Sequence, residues 1–290
     1  MLVFFERWIS RDLLFIKWTQ DSRTFLYRCY FNLLSHIRKY LSHSCTHVKG
    51  MGGLKRGILN LKKSLLPPNF FARFDIKHYY RGMDHKVLFK LLKDRKTLTC
   101  LIHILQCYVR ACGFKGIPAG SSLSPLLGAI YLDPLDQAMD RLFQKNKIAY
   151  IRYMDDYIIL SSKRWHLKKA IAQMYQVLDQ LKLSVHPDKK NIGRVTKGID
   201  FLGYHLDSQK KLLPSPEALS RFSINFRRLY EQGASIQRLW QYTEKWTSWL
   251  WGGLGYSVSI KGGVRRYFYY ALKQNGIKGI RHPIRGAGFT

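Results

Sequence analysis

The spacing of hydrophobic and polar positions changes several times along this chain. From the start to about residue 45, apolar and basic residues mix at roughly helical spacing in "RDLLFIKW" and "FLYRCYFNLLSHIRKYL", which predicts helix. "KGMGGLKRGILNLKKSLLPP" then brings a glycine-rich turn, a basic helix start and a Pro-Pro stop. "NFFARFDIKHYY" predicts a strand in which Asp75 interrupts a run otherwise fit for burial. "DHKVLFKLLKD" and "LTCLIHILQCYVRAC" predict helices, and the glycine- and serine-rich loop "GFKGIPAGSSLSP" leads into a third, "LLGAIYLDPLDQAMDRLF". A hairpin is expected at 148–162 and a helix at about 165–182. "LSVHPDKKNIGRV" and "GIDFLGYHLD" read as short strands or loops, and the last 75 residues as basic helix with a tryptophan cluster.

Strands and helices alternate irregularly, without internal repeats or a low-complexity linker. That order predicts an α+β fold whose antiparallel sheet carries three aspartates. Two of them, Asp155 and Asp156, are adjacent inside "YIRYMDDYIILSS" (150–162). Adjacent like charges in a hairpin have two explanations. Aspartate tolerates turns, so the pair can be a polar turn. Alternatively, a cation such as Mg²⁺ removes the repulsion and needs carboxylate oxygens at short range.

Charge shifts the balance. The 290 residues, enough for one large domain or two to three lobes, carry 49 Lys+Arg against 18 Asp+Glu, a formal charge of +31. Such a surface calls for a polyanion, nucleic acid being the commonest. No apolar run approaches the roughly 18 residues of a spanning helix, and the N-terminus lacks a clean apolar core and a small-residue cleavage site. The 5 cysteines are odd in number with no CxxC pair, so free thiols in a reducing cytosol are expected. Aromatic residues make 14% of the chain, and flat rings beside cations suit unstacked bases.

Joining nucleotides requires an activated 3′-hydroxyl, neutralised phosphate oxygens and a stabilised leaving pyrophosphate, which two metal ions about 3.5–4 Å apart supply. Mg²⁺ takes one or two carboxylates and leaves its other positions to water and phosphates. A tight hairpin can aim neighbouring side chains at one point, where a straight strand alternates them.

Five segments in order carry a resemblance: "RFDIKHYYRGMDH" (73–85), "GIPAGSSLSPLLGAIYLDPLD" (116–136), "YMDD" (153–156) after "IR", "HPDKKNIG" (186–193) and "DFLGY" (200–204). Together they resemble the palm motifs of bacterial reverse transcriptases, the group containing group II intron, retron and diversity-generating enzymes. The resemblance implies a right-hand polymerase fold: N-terminal extension and fingers over 1–72, palm with part of the fingers over 73–205, and a helical basic thumb over 206–290.

It also implies roles position by position. Asp75 and Asp155 are the principal metal ligands, Asp156 the second carboxylate of the pair, and the carbonyl of Ile76 an added ligand. The cofactor is Mg²⁺, two ions, with Mn²⁺ as a substitute. Tyr80 matches the aromatic gate that excludes a ribose 2′-hydroxyl. Ala119 and Gly120 lie in the loop beneath the incoming nucleotide; the family usually has Gln at position 119, which puts fidelity or substrate choice in question. Lys55 and Arg56 are candidates for gripping triphosphate. Lys189, with Lys190 as the alternative, aligns with the lysine that neutralises or protonates pyrophosphate. Phe201, Leu202, Gly203 and Tyr204 resemble the primer grip. Lys77 carries no role, and His85 and His186 read as structural. Among the tryptophans, Trp246 and Trp249 at helical spacing favour a packed thumb core over base stacking, and the closing "KGGVRRYFYYALKQNGIKGIRHPIRG" reads as RNA- or hybrid-binding surface.

About 85 residues follow "FLGY", room for a thumb but not for maturase and endonuclease domains. "VTKG" (195–198) departs from the retron "VTG", and Ser124-Pro125 from the Ser-Gln of diversity-generating enzymes. The expectation is a stand-alone, cytoplasmic, Mg²⁺-dependent RNA-directed DNA polymerase. Its partners would be dNTPs, a DNA primer or product, and an RNA template or dedicated noncoding RNA. By analogy it would serve antiphage defence, with room for an accessory protein or an oligomer and no membrane partner. Two alternatives stay open: a non-catalytic RNA-binding or splicing cofactor, and a template-relaxed terminal nucleotidyltransferase.

Overall fold

The computed structural model describes residues 2, 4–10, 13–64, 70–145, 147–207, 209, 211–254, 258 and 262–280. They form two compact units, Met1–Val195 and Thr196–Thr290. The expected Pro-Pro stop at 67–68 and the end of the basic tail, 281–290, lie outside the described residues.

The first unit opens with a correction. Residues before Thr19 form an antiparallel hairpin, β1 (Phe4–Ser10) and β2 (Leu13–Trp18), and not a helix. Leu14 and Trp18 satisfy a helical spacing, but Leu14, Ile16 and Trp18 satisfy period two as well. The exposed Lys17 between the buried Ile16 and Trp18 shows which period prevails. The helix α1 (Gln20–Ile37) starts where the Thr19 hydroxyl accepts the Ser22 N–H. Then come α2 (Gly53–Lys63), β3 (Phe70–Asp75), the single turn α3 (Tyr79–Gly82), α4 (His85–Asp94), α5 (Thr99–Arg110) and α6 (Leu123–Gln144). The unit is completed by β4 (Ala149–Tyr153), β5 (Asp156–Ser161), α7 (Arg164–Gln180) and β6 (Asn191–Arg194).

A second correction concerns β3. The strand ends at Asp75, and His78, with φ of 49°, turns the chain into α3. Tyr80 therefore sits on a helical turn, and Lys77 lies beyond the strand. Strands β4, β5, β3 and β6 form one antiparallel sheet in that order. The central β5 buries Tyr157, Ile158, Ile159 and Leu160 completely, as a strand paired on both edges and covered by helix must. Helix α7 packs on β3 and β5, and α6 on α7 and β4. Because α6 is apolar nearly all round, it runs through the core.

One ion pair fixes α6 to the sheet. Arg152 of β4 and Asp136 of α6 are both 0% exposed. Arg152 donates from Nε to Asp136 Oδ1 at 2.7 Å and from a terminal nitrogen to Oδ2 at 2.5 Å. Tyr150 adds its hydroxyl to Asp136 Oδ1 at 2.8 Å.

In the second unit, β7 (Ile199–Phe201), β8 (Tyr204–Leu206) and β9 (Leu212–Pro214) form an antiparallel sheet, followed by α8 (Pro216–Glu231), α9 (Ile236–Trp251) and α10 (Gly263–Gln274). The three helices pack on one another. Trp246 is half-buried among them, its ring 4.4 Å from that of Phe222 and 5.0 Å from that of Tyr267; against the expectation of a packed core, Trp249 is 38% exposed and its ring lies 5.5 Å from that of Tyr204. Among the described residues no helix is long and apolar enough to cross a membrane, and all five cysteines are free thiols.

Truncating the buried guanidinium tests the sheet–helix tie. Arg152→Ala strands the Asp136 carboxylate and is expected to cost about 3–5 kcal/mol in urea unfolding. The double variant Arg152→Met/Asp136→Leu should recover most of that loss. A double variant as unstable as the single one would show that the pair is not what joins α6 to β4.

Candidate active site

The site forms where two strands end. Asp75 is the last residue of β3 and Asp156 the first of β5, and the register places them opposite each other. Asp155 occupies the turn between β4 and β5, where Tyr153 pairs with Asp156 across a two-residue loop. Its carbonyl accepts the Ile76 N–H at 3.2 Å, so residues 79 positions apart in sequence are joined by backbone. The Asp75 carbonyl in turn accepts the His186 N–H at 2.8 Å. That bond brings the turn Pro187–Lys189 beside the strand end, with Lys189 Nζ 3.2 Å from Asp75 Oδ2. Of the two candidate lysines, Lys189 is the one that meets an aspartate.

Two clamps hold the turn. Met154 adopts φ of 57°, a left-handed conformation that costs a side-chain-bearing residue energy unless its surroundings impose it. Here they do: the Met154 carbonyl accepts from Arg152 at 2.9 Å, and its N–H donates to His47 Nδ1 at 3.0 Å. The opposite nitrogen of His47, Nε2, donates to the Pro125 carbonyl at 3.0 Å, which fixes the tautomer and ties the turn to the start of α6. Burial, assisted by the Arg152 charge, depresses the His47 pKa to about 3, so the ring stays neutral. The neighbouring Thr46 bonds to the Arg152 carbonyl through both N–H and hydroxyl, at 3.0 and 3.2 Å, and the start of α2 follows it through Gly53 N–H to Thr46 O at 2.8 Å.

The three carboxylates are not equivalent. Arg73, two residues before Asp75 and on the same face of β3, holds both oxygens of Asp156, at 2.9 and 2.8 Å. Burial still raises the Asp156 pKa. Asp155 is pushed up to about 6, by burial first and then by the charge of Asp75. Among the described residues no three His, Cys, Asp or Glu side chains gather as a metal-binding group. Asp156 is engaged by Arg73, which leaves Asp75 and Asp155 as the mutually repelling pair. Two hard oxygen donors of like charge suit a divalent cation that takes its other ligands from water and phosphate. The residues fit such an ion.

Tyr80 is close enough for the Asp155 charge, after burial, to raise its pKa and keep the phenol neutral. Its carbonyl accepts the Ile117 N–H at 3.0 Å, linking α3 to the loop before α6. In that loop the Ala119 N–H donates to Leu14 O of β2 at 2.7 Å. Gly120, at φ of 82°, leaves room for Phe15, whose ring carbon would lie 3.3 Å from a Cβ there. Lys55 and Arg56 stand in the first turn of α2, and burial lowers the Lys55 pKa to about 8. In the second unit, Phe201 and Tyr204 close a two-residue hairpin in which Leu202 and Gly203 have φ of 50° and 84°, as a tight primed turn requires. Tyr204 donates its hydroxyl to Leu250 O of α9 at 2.8 Å.

Motif order alone does not single out Arg73, His47, Arg152 or Asp136. Period two marks Arg73 as sharing a face with Asp75, so the strand pattern could have found it. Nothing in "SCTHVKG" marks His47, whose partners lie 78 and 107 residues away.

The raised Asp155 pKa has a sign that unfolding can read. The native state binds this proton more tightly than the unfolded chain, so the stabilisation is present below about pH 4 and lost as pH rises through about 6. Asp155→Asn should therefore be more stable than the parent in EDTA at pH 7–8, by up to about 3 kcal/mol, with the difference gone at pH 4. A pH-independent difference in denaturant midpoints would contradict the assignment. The His47 clamp has its own readout: His47→Ala should weaken Mn²⁺ binding about tenfold in a paramagnetic titration. Unchanged Mn²⁺ affinity would show that the turn holds itself.

Comparison with known proteins agrees with this geometry. Residues 19–206 match the family model "Reverse transcriptase (RNA-dependent DNA polymerase)". Protein YkfC of Escherichia coli K12 is 26% identical, the match covering 46% of this chain and 45% of that protein. Protein P of hepatitis B virus is also 26% identical, over 62% of this chain and 20% of that protein. The chain thus spans less than half the length of these curated relatives. Among solved structures, apo telomerase from Candida tropicalis superposes with a TM-score of 0.55 at 12% identity, covering 87% of this chain and 50% of that one. Telomerase from Candida albicans in complex with a fragment of telomeric RNA gives 0.52 at 12%, covering 90% and 48%. The likeness to these structures shows a right-hand polymerase fold, and with nearly two thirds of its length matched by the family model, the chain belongs to the reverse transcriptase family.

Proposed function

We propose that this chain is an RNA-directed DNA polymerase that adds dNTPs to a primer 3′ end opposite an RNA template, using Mg²⁺ held by Asp75 and Asp155. The observation that carries this is the meeting of those two carboxylates at the ends of β3 and the β4–β5 turn, with Lys189 on one and Tyr80 beside the other. Two Mg²⁺ ions, or Mn²⁺ in their place, would supply activation of the 3′-hydroxyl and neutralisation of the phosphates.

The chain's own groups do the rest. Asp75 and Asp155 present oxygens from rigid strand ends. Arg73 holds both oxygens of Asp156, the second carboxylate of the pair. Lys189 Nζ, released from Asp75, is placed to neutralise or protonate the leaving pyrophosphate. The Tyr80 ring, buried against the loop at 117, takes the space of a ribose 2′-hydroxyl and so selects dNTPs. Lys55 and Arg56, near the start of α2, meet the triphosphate; the lowered Lys55 pKa is reversed once an anion sits beside it. Phe201–Tyr204 hold the primer end, and residues 1–72, 73–205 and 206–290 serve as fingers, palm with part of the fingers, and thumb. A charge of +31 supports RNA and DNA as partners, and free thiols support a reducing, cytoplasmic setting. A dedicated noncoding RNA and a part in antiphage defence rest on the family resemblance.

The test is incorporation of labelled dNTPs against rNTPs with Mg²⁺, on a primed RNA and on any RNA that copurifies, with Asp155→Ala in parallel. We expect RNase-sensitive dNTP incorporation that falls at least a thousandfold in the variant, while RNA affinity at fixed salt stays equal or rises. Incorporation without template would favour the terminal transferase. No incorporation by the parent would favour the RNA-binding cofactor, and loss of RNA binding in Asp155→Ala would make that carboxylate structural.

A further inference from the structure

A glycine inside a helix is less favourable than an alanine, yet Gly128 sits within the buried run of α6. The reason is room. A Cβ on Gly128 would overlap the Tyr79 hydroxyl and lie 2.9 Å from Cζ and 3.2 Å from Cε1 of the same ring. The Tyr79 ring thus stands end-on against the backbone of α6, in a notch that any side chain would fill.

Tyr79 is 5% exposed, and its hydroxyl finds no hydrogen-bond partner among the described residues. A buried hydroxyl without a partner is unfavourable, and phenylalanine would avoid that desolvation. The oxygen therefore supplies length and not a bond. It carries the ring out to α6 and makes the side chain a strut between that helix and α3.

The loop before α6 grips α3 from its own side of the contact. Gly116 N–H donates to Met83 O at 2.7 Å and Ile117 N–H to Tyr80 O at 3.0 Å. A Cβ on Gly116 would lie 3.2 Å from both Arg81 Cα and Tyr80 O, so loop and helical turn meet closely. With the backbone of α3 held there, a change at the α6 end of the strut passes into the rings. Those of Tyr79 and Tyr80 stack at 25° with centroids 5.0 Å apart, so displacing one displaces the other. Burial raises the pKa of both phenols, and the charge of Asp155 adds to it, as the nearness of the β4–β5 turn requires.

We propose that Tyr79, seated in the notch at Gly128, is a positioning residue for the Tyr80 ring, and that this pair decides how strictly the site separates dNTPs from rNTPs. The second half rests on the polymerase reading, and the first half stands without it.

The test joins a readout of position to one of selection. With a fluorotyrosine placed at position 80, Gly128→Ala should shift the fluorine resonance. Tyr79→Phe/Gly128→Ala should return it toward the parent, because loss of the oxygen removes the closest overlap. In steady-state incorporation, Gly128→Ala should lower the ratio of kcat/KM for a dNTP to that for the matching rNTP about tenfold. The change should come through a lower KM for the rNTP, with kcat for the dNTP within about twofold, and the double variant should restore most of the ratio. Tyr79→Phe alone should leave the denaturant midpoint no lower than the parent's. An unmoved resonance in Gly128→Ala would overturn the proposal, as would selection lost equally in the single and double variants. A lower midpoint in Tyr79→Phe would overturn it too, by giving the hydroxyl a bonding role. A parent that incorporates neither nucleotide would sink the polymerase reading, and the fluorine resonance would then decide the positioning by itself.

Discussion

The buried pair of Arg152 and Asp136 is the constraint on which the rest of the first unit depends. Neither charge reaches water, so each is tolerable only through the other and through the hydrogen bonds that complete them. Asp136 uses both oxygens on the guanidinium and one on Tyr150. Arg152 keeps one nitrogen for the Met154 carbonyl, and that bond lets a core interaction dictate the shape of a surface turn. Moving α6 would leave the charge unsatisfied, and relaxing the turn would do the same. The β4–β5 turn is therefore tied directly to the core.

On that mount the protein keeps carboxylates in a place that repels them. Cross-strand like charges destabilise a sheet, and Asp75 faces Asp156 directly. Arg73 quiets one of the three, and Lys189 leans on another. His47, although close by, is held neutral and contributes geometry without charge. The remaining repulsion falls on Asp155, whose pKa is raised by burial first and by the charge of Asp75 second. A cation placed there would offset that repulsion, so the carboxylates that strain the strand ends are the ones that suit a divalent ion.

Local rules make much of this legible in the residues alone. The hairpin at 148–162, the helix that follows it, the long helix from 123 and the Gly/Ser loop before it follow directly from periodicity and turn residues. Asp75, Asp155 and Lys189 follow from motif order, and the fold brings them together. The N-terminal hairpin does not, because six residues can satisfy periods of 2 and 3.6 at once and only pairing with a neighbour decides. Tyr80 reads as a strand residue because nothing local shows that His78 will adopt a left-handed conformation. His47 is invisible for a different reason: a ring that receives one N–H and gives another to distant backbone has no signature in its own neighbourhood.

The alanine at position 119 acquires a meaning from the hairpin. It is 4% exposed, forms a parallel bridge with Phe15, and gives its N–H to Leu14 O. The segment seated against it is β2, and a long polar side chain rooted there would have to share space with that strand. A backbone contact of this kind is indifferent to which side chains β2 carries, but it is sensitive to bulk at 119. Enlarging the side chain at 119 would therefore push against β2 itself, whatever residues that strand carries.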